Sequence, residues 1–430
     1  MSSKQPNAAT SLQPPEISLG GQVLVLVSAF LGWMFAGMVM VLIPLAGRSA
    51  AISFLGPGQE AEVGNWFSRY ICAFLLGAAT GGLLFGWLGD RVGRAKAMGW
   101  SILCYSIVTG LTYFVTSPEQ LLVLRFVACL GVGGMWPNGV SLASEAWSNV
   151  SRPVLAGLIG TSANLGFMLL STIAMFKPVT PESWRWLMLV CAIPVFLGIV
   201  VLVFVPESPR WLAGQMAKAG DTVGKSSSPI AEIFRPPLLR YTLIGICLGA
   251  IPLLGNWGGS NWLVPWAGQV GGLSDPALKA WAQWSKSGGA VVGSLLGGWL
   301  ASRFGRRTTY FSISLAALCT AMYGFWFLSP LDRSFLPWAC VLGFFATVYF
   351  GWLPLYLPEL FPTRVRSTGT GVTFNFGRFA TAVGVLGAGQ LMLWFDGNYA
   401  MAGRITCMVY FLGMIIILFA PDTSKKQLED

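Results

Sequence analysis

The sequence has no histidine and little charge of either sign. Of its 430 residues, 10% are charged and 54% are hydrophobic, whereas a soluble domain carries about a quarter charged residues. This shortage of charge excludes an ordinary soluble protein and predicts a multi-spanning membrane protein. The lack of histidine removes the commonest metal ligand and proton shuttle. We therefore predict no metal and no other cofactor.

The sequence also lacks the residue clusters that enzymes and nucleic-acid-binding proteins use. Its 8 cysteines lie inside apolar segments without C-x-x-C spacing, so we interpret them as small core residues. No nucleophile–base pair appears, which argues against an enzyme. The net charge of +10 comes from basic residues scattered in short connections, not from a compact basic motif with aromatics. Nucleic acid is therefore not an expected partner.

Apolar segments of about 20 residues, the length that crosses a bilayer, fill most of the chain. Reading between charges and turn signals predicts twelve spans, near residues 20–46, 65–88, 97–116, 119–143, 154–176, 186–205, 239–267, 280–301, 308–329, 335–357, 368–394 and 403–420. A polar stretch rich in Ser and Pro separates the sixth span from the seventh. We predict an N-terminal bundle at 1–205, a linker at 206–237 and a C-terminal bundle at 238–430.

Lysine and arginine are distributed unequally over the two sides that these spans define. Most lie on the side of the termini, and the other side carries only Arg48, Lys177, Arg185, Lys279, Arg333 and Arg404. The positive-inside rule then predicts that both termini are cytoplasmic. We expect a multi-pass protein of the plasma membrane, the inner membrane if the source is bacterial.

Two motifs recur along the chain at nearly the same distance. "GWLGDRVGR" at 86–94 returns as "GWLASRFGR" at 298–306, an offset of 212 (298 − 86). The Glu-x6-Arg pair at 145–152 returns at 359–366, an offset of 214 (359 − 145). A shared offset predicts two six-helix halves repeated in parallel orientation.

These motifs resemble those of the major facilitator superfamily. "GWLGDRVGRAKA" is similar to its loop between spans 2 and 3, and "VPESPRWL" and "LPELFPTRVRSTGTG" resemble its sugar-porter and organic-ion branches. The resemblance covers the whole chain. It implies an all-α membrane protein with twelve helices in two pseudo-symmetric bundles, which rock about a central site without covalent chemistry. We expect a monomer whose partners are a small solute and the lipid bilayer.

The charged residues at the cytoplasmic ends of the spans suit a gate. The hypothesis is that they pair across the two halves when the site faces outward and separate when it faces inward. The candidates are Asp90, Arg91, Arg94, Glu145, Arg152, Arg210, Arg303, Arg306, Glu359 and Arg366. The alternative is a set of ordinary basic loops that orient the chain in the membrane. Ser302 stands where the first repeat has Asp90, so the second loop lacks that acid.

One arginine lies deep inside an apolar span. Arg378 is eleven residues beyond Ser367, roughly 16 Å into a hydrocarbon core about 30 Å thick. That is the midplane, where carriers of this kind bind substrate. With no acid inside the same spans, a transient anionic partner explains the charge. The alternative is a structural arginine held by backbone carbonyls or water.

Several other residues are candidates for the same site. Asn375 lies on the helical face of Arg378, and the repeat offset maps Arg378 onto Asn164. Arg125 is either a second cation or a structural partner of carbonyls, and Lys286 is a third cation inside a span. Aromatic stripes add the candidate wall residues Trp262, Trp266, Tyr349 and Tyr356.

The first span lacks the acids that organic-ion relatives often carry after a "GW-x-F" motif. Ala36 and Val39 stand in those places, so proton symport loses its usual titrating group. We predict a transporter of a small organic anion, a carboxylate, by uniport or exchange. The alternatives are a carrier of a neutral, sugar-like solute and a non-transporting receptor on a transporter scaffold.

Overall fold

The structure is a computed structural model that describes residues 17–218, 229–272, 274–362 and 365–423. These ranges are helical with short connections and contain no strand. The side chains of a few helical residues within them, Arg152 among these, are not described.

The first half, defined here as residues 17–205, consists of seven helices. They are α1 (Leu19–Leu55), α2 (Glu60–Val92), α3 (Arg94–Leu111), α4 (Pro118–Ala146), α5 (Arg152–Phe176), α6 (Trp186–Val190) and α7 (Val195–Phe204). A 3-10 turn, Thr112–Phe114, extends α3. Two short helices follow this half, α8 (Pro209–Lys218) and α9 (Pro229–Ile233).

The second half, residues 238–423, repeats this plan. Its helices are α10 (Leu238–Leu254), α11 (Leu263–Gly271), α12 (Leu278–Phe304), α13 (Arg306–Phe327), α14 (Phe335–Glu359), α15 (Arg366–Trp394), α16 (Tyr399–Cys407) and α17 (Val409–Phe419). Between α10 and α11 the chain forms a π-helical turn, Gly255–Gly259, and a 3-10 turn, Ser260–Trp262.

In the described ranges, 11 helices are long and apolar enough to cross a membrane. They match the predicted spans except the eighth, which is α12. That helix has 27 residues, about 40 Å at 1.5 Å per residue, and its two lysines and one arginine lower its hydropathy. With α12 the described residues contain twelve membrane helices, and the predicted all-α fold is confirmed.

The first span is longer than predicted. The predicted boundary at residue 46 precedes Arg48, but α1 continues to Leu55. The helix continues because Arg48 has an acidic partner on α2, Glu60, and does not require solvent. Pro44 lies inside α1 as well.

Glycines let helix pairs approach closely at equivalent places in the two halves. A Cβ atom at Gly81 on α2 would overlap the carbonyl oxygen of Leu130 on α4. In the second half, a Cβ atom at Gly293 on α12 would overlap the carbonyl oxygen of Phe344 on α14. Small residues that bring helix backbones into contact are typical of membrane bundles.

The halves meet along two helix pairs, α2 with α15 and α5 with α12. We name the membrane face that holds the repeated loops 86–94 and 298–306 the signature face, and the face that holds the α1–α2 connection the opposite face. The predicted linker contains α8 and α9, and its residues 219–228 lie outside the described residues. The division at 206–237 stays a prediction.

Candidate substrate site and gates

Arg378 lies on α15 where this helix packs against α2 of the first half. Its Nη1 donates to the carbonyl oxygen of Ala78 at 3.2 Å, and its guanidinium lies 5.0 Å from the centre of the Phe374 ring. The side chain is only partly buried. Within the described residues, no carboxylate forms an ion pair with Arg378, so its charge has no anionic partner from the chain.

The two predicted asparagines lie on different sides of the interface. Asn375 lies one turn before Arg378 and faces α2, since a Cβ atom at Gly82 would lie 3.4 Å from its Oδ1. Its Nδ2 donates to the carbonyl of Gly371 at 3.0 Å. Asn164 lies on α5, one turn from Phe167, and is partly buried. The structure thus brings Asn375 beside Arg378, while Asn164 approaches the interface from the other helix pair.

The seventh span is broken at its centre, a feature that our sequence analysis did not include. Trp257 in the π-helical turn packs against two rings of the first half, Phe74 at 4.6 Å and Phe167 at 6.4 Å between centroids. The hydroxyl of Ser260 donates to Oδ1 of Asn256 at 3.1 Å. The glycine cluster in "GNWGGSN" is the signal that could have revealed it, because interrupted spans mark substrate sites in carriers.

Lys286 and Arg125 are bound inside their own halves in this conformation, and their role as substrate contacts stays a prediction. Lys286 is 4% exposed and its Nζ donates to Oδ1 of Asn261 in the broken span. Arg125 is 2% exposed and donates to the carbonyls of Val39 at 2.7 Å and Met40 at 3.3 Å. These contacts of Arg125 are the ones that the structural alternative expects.

The aromatic candidates divide into three positions. Tyr349 and Tyr356 are completely buried in the second half, where their hydroxyls donate to the Ser314 hydroxyl at 2.9 Å and to a backbone carbonyl. In this conformation the stripe that helical periodicity identified faces α13 and α17, and its role as a site wall stays a prediction. Trp266 packs against rings of α13 and α14.

Trp262 lies between the halves, toward the opposite face. Its ring centroid is 5.3 Å from that of Phe67 on α2 and 5.6 Å from that of Tyr399 on α16. This position makes it part of the closure of that face.

The repeated motifs form equivalent clusters on the signature face. In the first half, Nε of Arg94 lies 3.5 Å from Glu145, whose carboxylate also accepts from the Ser208 hydroxyl. In the second half, Arg306 binds Glu359 through two bonds of 3.2 and 2.7 Å. Each of these ion pairs lies within one half. The predicted pairing across the halves belongs to another conformation and stays a prediction.

Other predicted gate residues are more exposed. Asp90 is bound by Arg94 at 3.3 Å with most of its surface in solvent, and Arg91 lies over the ring of Trp87. Arg210 and Arg303 are exposed, and Arg366 begins α15. The side chain of Arg152 lies outside the described residues.

On the opposite face, polar contacts join the two halves. Arg48 binds Glu60 through two bonds of 2.7 Å, and its Nη1 donates to the carbonyl of Gly268 on α11 at 3.2 Å. The hydroxyl of Tyr399 on α16 donates to Glu60 at 2.7 Å. The first half contributes the ion pair and the second half the hydroxyl and the carbonyl. The structure is therefore closed on the opposite face.

A sequence model of the Major Facilitator Superfamily matches residues 23–385. The chain belongs to this superfamily. It is 28% identical over 399 residues to a cis,cis-muconate transport protein of Acinetobacter baylyi, covering 92% of this chain and 93% of the relative. A niacin transporter of the same organism is 25% identical over 438 residues, with 93% and 94% covered.

A solved structure of the same fold is the xylose transporter XylE of E. coli in a partially occluded inward-open conformation. The TM-score is 0.74 at 17% sequence identity, with 95% of this chain and 100% of that chain covered. Family and relatives are transporters, so this superfamily member is a multi-pass membrane transporter and not an enzyme. The resemblance inferred from the loop motifs is confirmed.

This superfamily member carries a third repeat that our sequence analysis did not include. Pro-Glu-Ser at 206–208 returns as Pro-Asp-Thr at 421–423, an offset of 215 (421 − 206). Glu207 accepts from the backbone N–H groups of Arg94 and Ala95, at 2.7 and 3.0 Å, and so caps the start of α3. Thr423 donates to Glu359, as Ser208 does to Glu145. Each cluster thus binds a segment that follows the last span of its half.

Proposed function

We propose that this transporter carries a small organic anion, a carboxylate, by alternating access, and that it works as a uniporter or an exchanger. The observation that carries the proposal is the unpaired charge of Arg378 at the interface of the halves. The proposed orientation has the signature face and both termini in the cytoplasm, as the positive-inside rule predicts. We propose a monomer in the plasma membrane.

Placing an arginine at the midplane of a membrane costs free energy. Insertion measurements put this free-energy cost at about 2.5–3.5 kcal/mol. A guanidinium has five N–H donors, and the described contacts of Arg378 use one of them, on Ala78. A substrate carboxylate would accept two of the remaining donors at once. The anion would therefore offset the cost only while it is bound.

The relatives support this substrate class. Muconate and niacin, which the names of the two relatives give as their substrates, are both carboxylates with flat, conjugated frames. The rings at the interface suit such a frame: Phe374 beside Arg378, and Trp257 between Phe74 and Phe167. We propose these rings as the walls, in place of the tyrosines of α14. Asn375 and Asn164 are the proposed polar partners.

The test is ligand-induced thermal stabilisation of the purified protein. A ligand that binds the folded state raises apparent stability with its concentration. We expect nicotinate or cis,cis-muconate to stabilise the wild type and to have no effect on Arg378→Gln. Arg333→Gln, which removes an exposed arginine outside the candidate site and gate, serves as the matched control, with a wild-type response. Equal stabilisation of wild type and Arg378→Gln by sugars would instead identify a sugar-like solute.

Counterflow in vesicles separates a carrier from a receptor. Vesicles loaded with unlabelled nicotinate should transiently accumulate labelled nicotinate, because a carrier exchanges one molecule for another. Binding without counterflow would identify a non-transporting receptor.

A further inference from the structure

Lys279 at the start of α12 is a buried cation whose hydrogen bonds cross to the other half. Its Nζ donates to the hydroxyl of Ser49 at 2.8 Å and to the carbonyl of Val179 at 2.6 Å, both in the first half. The residue is 8% exposed. Within the described residues, no carboxylate forms an ion pair with it.

The acid that binds the neighbouring Arg48 is already engaged. Glu60 binds Arg48 through both of its carboxylate oxygens and also accepts from Tyr399. The aliphatic stem of Lys279 passes Gly268, whose carbonyl accepts from Arg48. The ammonium and the guanidinium are thus close neighbours, and one carboxylate serves two cations. Lys279 holds the uncompensated charge of this patch.

Closing the opposite face does not require a charge at this position. A hydroxyl and a carbonyl are neutral partners, and the amide of a glutamine could serve the same two groups without the desolvation cost of an ammonium. The repulsion from Arg48 adds to that cost. The charge therefore opposes the closed state, and its benefit has to lie in the other conformation.

We propose that Lys279 is a recruitment site for the anionic substrate on the opposite face. Ser49 and Val179 belong to the first half, so both bonds break when the halves separate there. The freed ammonium then faces the opening between the halves and attracts a carboxylate to the interface. The inference rests on the proposed function, because it requires an anionic substrate.

The electrostatic reason is the scarcity of positive charge on this face. A cation at the mouth of a low-dielectric cleft raises the local concentration of anions and their association rate, and salt screens this effect. When the opposite face closes again, Lys279 returns to Ser49 and Val179. The same side chain would therefore recruit the substrate in one state and bind across the halves in the other.

The experiment is uptake of labelled nicotinate from the opposite face of oriented proteoliposomes, measured at several ionic strengths. We expect Lys279→Gln to raise KM by about fivefold and to flatten the rise of KM with salt. Lys279→Arg, which keeps the charge, should retain the salt dependence of the wild type. Lys177→Gln removes an exposed lysine of the same face and is the matched control.

The outcomes distinguish the inference from the proposed function. If Lys279→Gln keeps the KM of the wild type and the same dependence of KM on salt, the recruitment role is overturned. A change in maximal rate with KM unchanged would overturn it as well. The proposed function would stand in both cases if nicotinate still stabilises the wild type and not Arg378→Gln. If nicotinate and cis,cis-muconate stabilise neither protein, the proposed function fails and the inference fails with it. Thermal unfolding of Lys279→Gln shows whether this variant folds; if it does not, Lys279→Met, which also removes the charge, takes its place with the same expected rise in KM.

Discussion

The guanidinium of Arg125 binds the carbonyl oxygen of Met40, at 3.3 Å, four residues before Pro44. A proline has no N–H group, so the carbonyl of the fourth residue before it loses its helical partner. In a membrane, such a carbonyl has to find a partner within the protein. Arg125 supplies one, and a second bond of 2.7 Å to the Val39 carbonyl secures the same turn of α1. The arginine thus compensates for a proline on another helix.

This relationship predicts a specific coupling between two substitutions. Arg125→Gln should lower the free energy of unfolding by about 1–3 kcal/mol, because buried carbonyls lose their partner. Pro44→Ala restores an N–H group to α1, so Arg125→Gln should cost less in that background. The measurement is the thermal midpoint of the wild type, both single variants and the double variant in detergent. Strictly additive shifts would contradict the coupling.

Sequence patterns predicted the spans and the repeated motifs because each depends on local composition and spacing, whereas the midplane depth of Arg378 stays a prediction. The partners of Arg125 and Lys286 could not be predicted in this way. An arginine in a span has the same pattern whether its donors meet a substrate or a carbonyl freed by Pro44. Helical periodicity likewise identified the stripe of Tyr349 and Tyr356 without indicating which neighbouring helix it faces.

Some missed features did have signals in the sequence. The repeat offset that related the first two motifs also relates residues 206–208 to residues 421–423. The extension of α1 had no such signal, because a charge at Arg48 ordinarily marks the end of a span. Only the position of Glu60 on α2 shows why the helix continues.

The two clusters of the signature face should differ in strength. Glu359 is 3% exposed and binds Arg306 through two bonds, whereas the pair of Glu145 with Arg94 is 3.5 Å long and Arg94 is 25% exposed. Breaking a buried ion pair costs about 3–5 kcal/mol, and the cost falls as the pair becomes more accessible to solvent. We expect Glu359→Gln to lower the thermal midpoint clearly more than Glu145→Gln does. Equal shifts would show that burial does not decide the difference.

Removing Glu60 should open the opposite face. Glu60→Gln breaks the ion pair with Arg48 and weakens the bond from Tyr399. A loss of about 1.4 kcal/mol across the interface raises the open population about tenfold. The reporter is Met392→Cys on α15, which is completely buried against Gly64 of α2. Its labelling by a membrane-impermeant thiol reagent should accelerate about tenfold in Glu60→Gln.

Controls make this accessibility measurement specific. Glu62→Gln removes a neighbouring acid that has no bond across the halves and should leave the labelling rate unchanged. The parent protein without the added cysteine provides the background from the native thiols. Unchanged labelling of Met392→Cys in Glu60→Gln would mean that the aromatic contacts of Trp262 are sufficient to hold this face closed.

Uptake should not depend on a proton gradient, and its response to membrane potential should separate the two proposed modes. Ala36 and Val39, where related carriers have acids, are completely buried apolar residues, and the chain has no histidine. A monovalent anion carried alone works against an interior-negative potential of about 2.3 kcal/mol per 100 mV. For a uniporter, 100 mV should therefore lower the accumulation of nicotinate about 50-fold, whereas exchange of equal charges should not respond. Vesicles with imposed potentials and matched internal and external pH distinguish the two modes. Acceleration by an inward proton gradient at zero potential, at pH values where nicotinate stays ionised and above the rate in protein-free vesicles, would refute both.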